Sequence, residues 1–109
     1  AAFETAIALD PLDFESWLLL SEIVGDESLE QGVEIIKNGL KVNDDTAALH
    51  QRLAAYYYLM GNVQESLVEF EKGLTLDSES AEEFFEFCAD AVNDPLYIEI
   101  LAKFLPTKE

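Results

Sequence analysis

The chain has 109 residues, enough for one modest core and too few for two, so a large multi-domain enzyme is excluded. With 50% hydrophobic and 27% charged residues it has the balance of a folded globular protein. Against 23 acidic side chains stand 6 basic ones, and the net charge of -17 repels phosphate backbones and anionic headgroups, so neither nucleic acid nor a membrane is expected as a partner. A single cysteine, Cys88, supports no internal disulfide and no Cys-rich zinc site. No apolar run reaches the roughly 18 residues of a spanning helix, and no basic stretch precedes an apolar one at the start, so neither a span nor a signal peptide is expected.

In chain order the apolar spacing of three and four predicts helices throughout. The first runs from Ala1 to Leu9 and stops at Asp10-Pro11, because proline lacks an N–H and disfavours helix in the residue before it. A second spans Asp13 to Val24, broken by Gly25-Asp26. Asp26 is the predicted N-cap of a third, which ends at Val42 before the polar turn Asn43-Asp44-Asp45. The fourth covers Thr46 to Met60, with Gly61 suited to a left-handed C-terminal position. Asn62 with Glu65, and Ser80 with Glu83, have capping-box spacing and open the fifth helix, to Leu76, and the sixth. Asp94-Pro95 ends the sixth and begins the seventh, closed by Pro106, after which Thr107-Lys108-Glu109 reads as a frayed tail.

The pattern repeats. Phe3, Ile36 and Phe70 are separated by 33 and 34 residues, and the same steps relate Ala6, Gly39 and Gly73, then Leu9, Val42 and Leu76, then Asp10, Asn43 and Asp77. In the alternate helices they relate Trp17, His50 and Phe84, then Leu20, Leu53 and Phe87, then Ser21, Ala54 and Cys88. Small residues at Ala54, Ser66 and Gly73 let helix backbones approach, and Tyr57 and Phe70 fill the space between a pair and its neighbour.

In these residues the chain resembles the tetratricopeptide repeat family. Leu53-Ala54, Tyr57, Gly61, Ser66, Phe70 and Gly73 carry the likeness best, and Trp17, Leu20-Ser21, Gly32, Ile36 and Gly39 repeat it one residue shorter. The resemblance implies an all-α fold of about seven helices, in antiparallel pairs stacked as a right-handed α-α superhelix. Its divisions are a half unit 1–10, units 11–43 and 44–77, and a capping unit 78–106 that keeps Phe84, Phe87-Cys88 and Ala91. The half unit lacks a partner helix, so the chain reads as a C-terminal fragment of a longer array, and its uncovered Phe3 and Ile7 predict self-association into a homo-oligomer. The expected compartment is the cytoplasm.

The resemblance further implies protein recognition, with a peptide lying in a concave groove lined by the first helix of each pair. By register the groove positions are Glu15, Leu18, Glu22, Gln51, Ala55, Tyr58, Glu82, Phe85 and Ala89. None is basic, which argues against clamping a peptide's terminal carboxylate; three glutamates and two aromatics favour a basic or amphipathic protein segment. Acidic faces that only keep the chain soluble are the competing reading. Tyr57 is assigned to packing and Tyr58 to recognition, so Tyr58→Ala is expected to weaken binding without unfolding, and Gly73→Leu to do the reverse.

Catalysis finds little support. His50 is the only histidine and shares a register with Trp17 and Phe84, which makes it a packing residue before a general base or metal ligand. Cys88 holds a small-residue place and reads as a buried thiol. No nucleotide, zinc-protease, serine-hydrolase or calcium-loop motif is present, so no enzyme activity, cofactor or metal is expected. The alternatives to an interaction scaffold are a structural, self-associating module of a larger protein, an enzyme's substrate-binding appendage, and an acidic mimic of nucleic acid.

Overall fold

Where apolar residues recur at helical spacing and no breaker intervenes, the chain coils, and the computed structural model, which describes residues 14–42 and 44–104, follows that rule. In order it has α1 (Phe14–Gly25), α2 (Leu29–Val42), α3 (Ala47–Leu59), α4 (Val63–Leu76), α5 (Ala81–Phe87), a 3-10 turn (Ala89–Asn93) and α6 (Pro95–Ala102). The fold is all-α, with no strand among the described residues. None of these helices is long and apolar enough to cross a membrane. The expected helix Ala1 to Leu9 with its Phe3 and Ile7 stripe, the Asp10-Pro11 stop, Asn43, and the end from Pro106 through Glu109 lie outside the described residues.

Helix ends show where local chemistry was legible and where packing overrode it. Gly61 takes φ +84°, and the amides of Gly61 and Asn62 donate to Tyr58 O at 3.1 Å and Tyr57 O at 2.8 Å, a Schellman closure of α3. That closure uses the Asn62 N–H that Glu65 was expected to cap, and the Asn62 side chain makes no cap hydrogen bond. At α5, Ser80 has helical rather than extended backbone angles, and its hydroxyl accepts from Gln51 Nε2 at 3.0 Å instead of capping. Asp26 does not cap α2. Ser28 does, its Oγ accepting from the Gln31 amide at 3.3 Å, and Ser28 with Gln31 has capping-box spacing. At α6 the expectation holds: Asp94 accepts from Leu96 N at 3.0 Å and proline follows it. The sixth predicted helix breaks at Cys88, with φ −130° and ψ 68°, and continues as the 3-10 turn. Cys88, Asp90, Val92 and Asn93 are all weak helix formers, and the break places Cys88 and Ala91 together in the core.

Short turns make successive helices neighbours: α1 packs on α2 and α3 on α4. The helix α3 also meets α1, α2 and α5, and α4 meets α5 and α6. The apolar interior is divided in two. Val33, Ile36, Leu49, Leu53 and Tyr56 form one cluster, and Ala54, Ala55, Phe70, Leu74, Phe84 and Tyr97 belong to the other, with the half-buried Phe87 touching both. The structure extends 51 × 25 × 19 Å, a row of helices in which α3 supplies side chains to both clusters.

Because α3 is packed from several sides, the residues from Leu49 to Tyr56 are all buried, a helix interior with no solvent face. Small residues permit the close approaches: Ser66 Oγ donates to Ala54 O at 2.8 Å between α4 and α3, and a Cβ on Gly39 would stand 2.8 Å from Trp17 Cγ.

Candidate functional site

Three helices present their starts to one cleft of about 380 Å³. Glu15 and Leu18 come from the beginning of α1, Ala47 and Ala48 open α3, and Glu82 and Glu83 belong to the first turn of α5. Asp77 and Glu79, on the turn before α5, complete an acidic wall. Carboxylates are favoured here, because unpaired amides at a helix start carry partial positive charge. No lysine or arginine lines the cleft. A cation with an apolar stem suits this arrangement, its charge among the carboxylates and its stem on Leu18 and the two alanines.

Of the groove positions read from sequence, Glu15, Leu18 and Glu82 meet in this cleft. Phe85 is half-buried and lines a more apolar recess of about 600 Å³ with Val92 and Leu101, which adjoins the cleft through Glu79 and Glu82. Glu22 is exposed and bound to Arg52. Ala89 is exposed at the start of the 3-10 turn and lines neither space.

The structure removes Gln51 and Ala55 from any open groove, since both are 0% exposed. Gln51 Nε2 donates to Phe70 O and Ser80 Oγ, each at 3.0 Å, and holds α3 to α4 and to the turn before α5. Tyr58 is half-buried and packs edge-on against Phe84 and Tyr97, with ring centroids 5.9 and 5.6 Å away. It is therefore a packing residue, and its truncation costs stability. The physical reason is common to all three: α3 is packed by four neighbouring helices, which bury Gln51 and Ala55 and cover one side of Tyr58.

Two consequential residues escaped the sequence reading. Tyr56 is 1% exposed, and its hydroxyl donates to Ser21 O at 2.8 Å, so α3 is tied to α1 and the phenol's pKa is raised by burial. Arg52 is 6% exposed, with Nη1 donating to Glu22 Oε2 at 3.0 Å, Nη2 3.9 Å from Glu83 and the guanidinium 4.2 Å above the Phe87 ring. Its Nε is buried with no hydrogen-bond partner among the described residues. The available signal was the helix itself: without a polar stripe, the polar residues within it had to be paired inside.

His50 and Cys88 occupy packed positions. The His50 Nδ1 lies 2.7 Å from Glu69 Oε1 and its Nε2 lies 2.9 Å from Asp44 O. Burial, with the negative charge of Asp90, pushes the Cys88 thiol up to about 12, and its sulfur reaches Ala55 O at 3.5 Å. Among the described residues no group of three His, Cys, Asp or Glu side chains is placed to hold a metal ion.

No protein-family model and no curated protein matches the chain.

Proposed function

We propose that this chain is a non-catalytic interaction module that takes a basic or amphipathic segment of a protein partner in the cleft at the starts of α1, α3 and α5. The observation that carries the reading is the convergence of Glu15, Asp77, Glu79, Glu82 and Glu83 on one concave space without a basic residue in its lining. The recess beside it, with Phe85, Val92 and Leu101, supplies apolar surface for an adjoining side chain of the same segment. The buried roles of His50 and Cys88 favour binding over catalysis.

The same reading takes the fold as a tetratricopeptide-like right-handed stack of helix pairs. Its support is the close packing within each pair: Gly39 and Gly73 each receive a side chain from the first helix of their own pair, Trp17 and Gln51, at contact too close for any Cβ, with Gln51 one place past His50, the residue in register with Trp17. The small residues Ser21, Ala54 and Cys88 are likewise all buried, and so are Ile36 and Phe70.

The test is a titration with labelled peptides, one rich in Lys and Arg and one in which those residues are acidic. The basic peptide should bind, more weakly as salt rises, and Glu15→Lys with Glu82→Lys should weaken it about tenfold or more. Equal binding of both peptides, or a charge-reversed variant that binds like the parent, refutes the proposal. A self-associating module is the second reading, favoured by Leu19 and Ile23, which are 48% and 41% exposed one turn apart on α1. Concentration-dependent mass that Ile23→Glu abolishes would select it.

A further inference from the structure

His50 sits where three parts of the chain meet. It belongs to the first turns of α3, faces Glu69 on α4, and reaches back to the carbonyl of Asp44 on the turn that follows α2. A backbone carbonyl accepts and never donates, so the 2.9 Å contact requires a proton on Nε2. An ionised carboxylate also only accepts, so the 2.7 Å contact with Glu69 requires a proton on Nδ1. Both contacts are made together only by the imidazolium. A neutral ring has one N–H and must give up one of the two.

The charge-assisted bond to a carboxylate is the stronger of the pair, and an unprotonated Nδ1 facing Glu69 at that distance would set two lone pairs against each other. The neutral ring therefore keeps Nδ1–H toward Glu69 and releases the carbonyl. We propose that His50 is a proton-dependent clasp, in which loss of one proton frees the Asp44 carbonyl and loosens the turn joining α2 to α3.

The surrounding charges favour the closed form. Glu69 acts on the ring from α4 and Lys72, 3.7 Å from the other Glu69 oxygen, opposes it weakly from an exposed position. Asp44 and Asp45 on the turn and Lys41 at the end of α2 are exposed. On α3 itself, Arg52 is turned to Glu22 and Glu83. The hydrogen bond to Glu69 chiefly raises the His50 pKa above its ordinary 6.5, with burial opposing and the Asp44 carbonyl assisting. Since the folded value lies above the unfolded one, the clasp's stabilisation is complete below pH 6.5 and is lost as pH rises through the folded value. A recess of about 420 Å³, lined by Asp44, His50, Lys72, Thr75 and Leu76, lies against the ring, which is 11% exposed, so proton exchange requires no unfolding.

His50 is the only histidine of the 109-residue chain, so its ring resonances are unambiguous in a nuclear magnetic resonance titration. Below pH 6.5 both ring nitrogens should carry protons, the midpoint should lie above 6.5, and the amides of residues 44–46 should shift with that same midpoint. Glu69→Gln should lower the midpoint, and His50→Phe should leave the turn amides indifferent to pH over this range. A wild-type midpoint at or below 6.5, a singly protonated ring at low pH, or turn amides that ignore the ring's titration would each overturn the clasp. The wild-type titration decides the matter if His50→Phe fails to fold.

Discussion

Replacing Gly73 with alanine tests the packing of α4 on α3 in a way that sets two physical effects against each other. On helix propensity alone the change stabilises, because alanine is favoured over glycine by about 1 kcal/mol in a helix interior. The structure predicts the opposite sign. A Cβ at Gly73 would stand 2.8 Å from Gln51 Cδ and 2.9 Å from its Cγ, inside any real contact distance. The glutamine has nowhere to retreat, being 0% exposed and bonded through Nε2 to Phe70 O and Ser80 Oγ. Overpacking costs about 1–3 kcal/mol, and each hydrogen bond displaced costs about 0.5–1.5 kcal/mol more. After the propensity gain the net loss is about 3 kcal/mol, or roughly 10–20 °C in Tm for a domain of this size. Urea and thermal denaturation followed by circular dichroism give the number. Gly61→Ala is the control: nothing lies within 4 Å of its added Cβ, and only its φ of +84° opposes the change, at a smaller cost of about 1–2 kcal/mol. Pairing Gly73→Ala with Gln51→Ala should cost less than the sum of the two single changes, because the second makes room for the first. A Gly73→Ala variant as stable as the parent, or more so, refutes the close approach.

Three further outcomes follow from the buried groups. Tyr56→Phe should cost about 1 kcal/mol in denaturation, since it removes the hydroxyl that ties α3 to Ser21 O while keeping the ring; no loss would mean that this hydrogen bond contributes nothing. Arg52→Met should cost less than Glu22→Gln combined with Glu83→Gln, as measured by urea midpoints. Removing the cation leaves two carboxylates that are 47% and 41% exposed and can hydrate, whereas removing the acids strands a guanidinium that is 7% exposed; the reverse order would refute the reasoning. Cys88, with its thiol pushed up to about 12, should resist thiol reagents at neutral pH until the protein unfolds, and rapid labelling of the native chain would contradict its burial.

Much of the architecture was legible locally. The helices from α1 to α4 begin and end within a few residues of their predicted bounds, because Gly61 and the polar turns act over one helical turn. Caps were read less well. The Ser28 cap had its signal in the sequence, a glutamine three residues on, whereas Asp26, expected to cap α2, stands two residues before it. Asn62 and Ser80 had suitable spacing, yet the Asn62 amide closes α3 and the Ser80 hydroxyl serves Gln51, a residue 29 positions away. The first partner is local, five residues back within the Schellman closure; no local rule contains the second.

The candidate site divides along the same line. Glu15 and Glu82 lie in the first turns of α1 and α5 at the cleft, and Leu18 reaches it although it stands as deep in α1 as the buried Gln51 does in α3. The difference is the helix they sit on: Gln51, Ala55 and Tyr58 belong to α3, where exposure is decided by the neighbouring helices.

By itself the sequence determined helix content, most helix limits, the spacing of small and large residues, and an acidic surface, because each depends on residues a few positions apart or on composition. That α3 would keep no solvent face from Leu49 to Tyr56 was decided only in the tertiary structure: α1, α2, α4 and α5 all close on that helix, and a side chain's exposure is the sum of what packs around it.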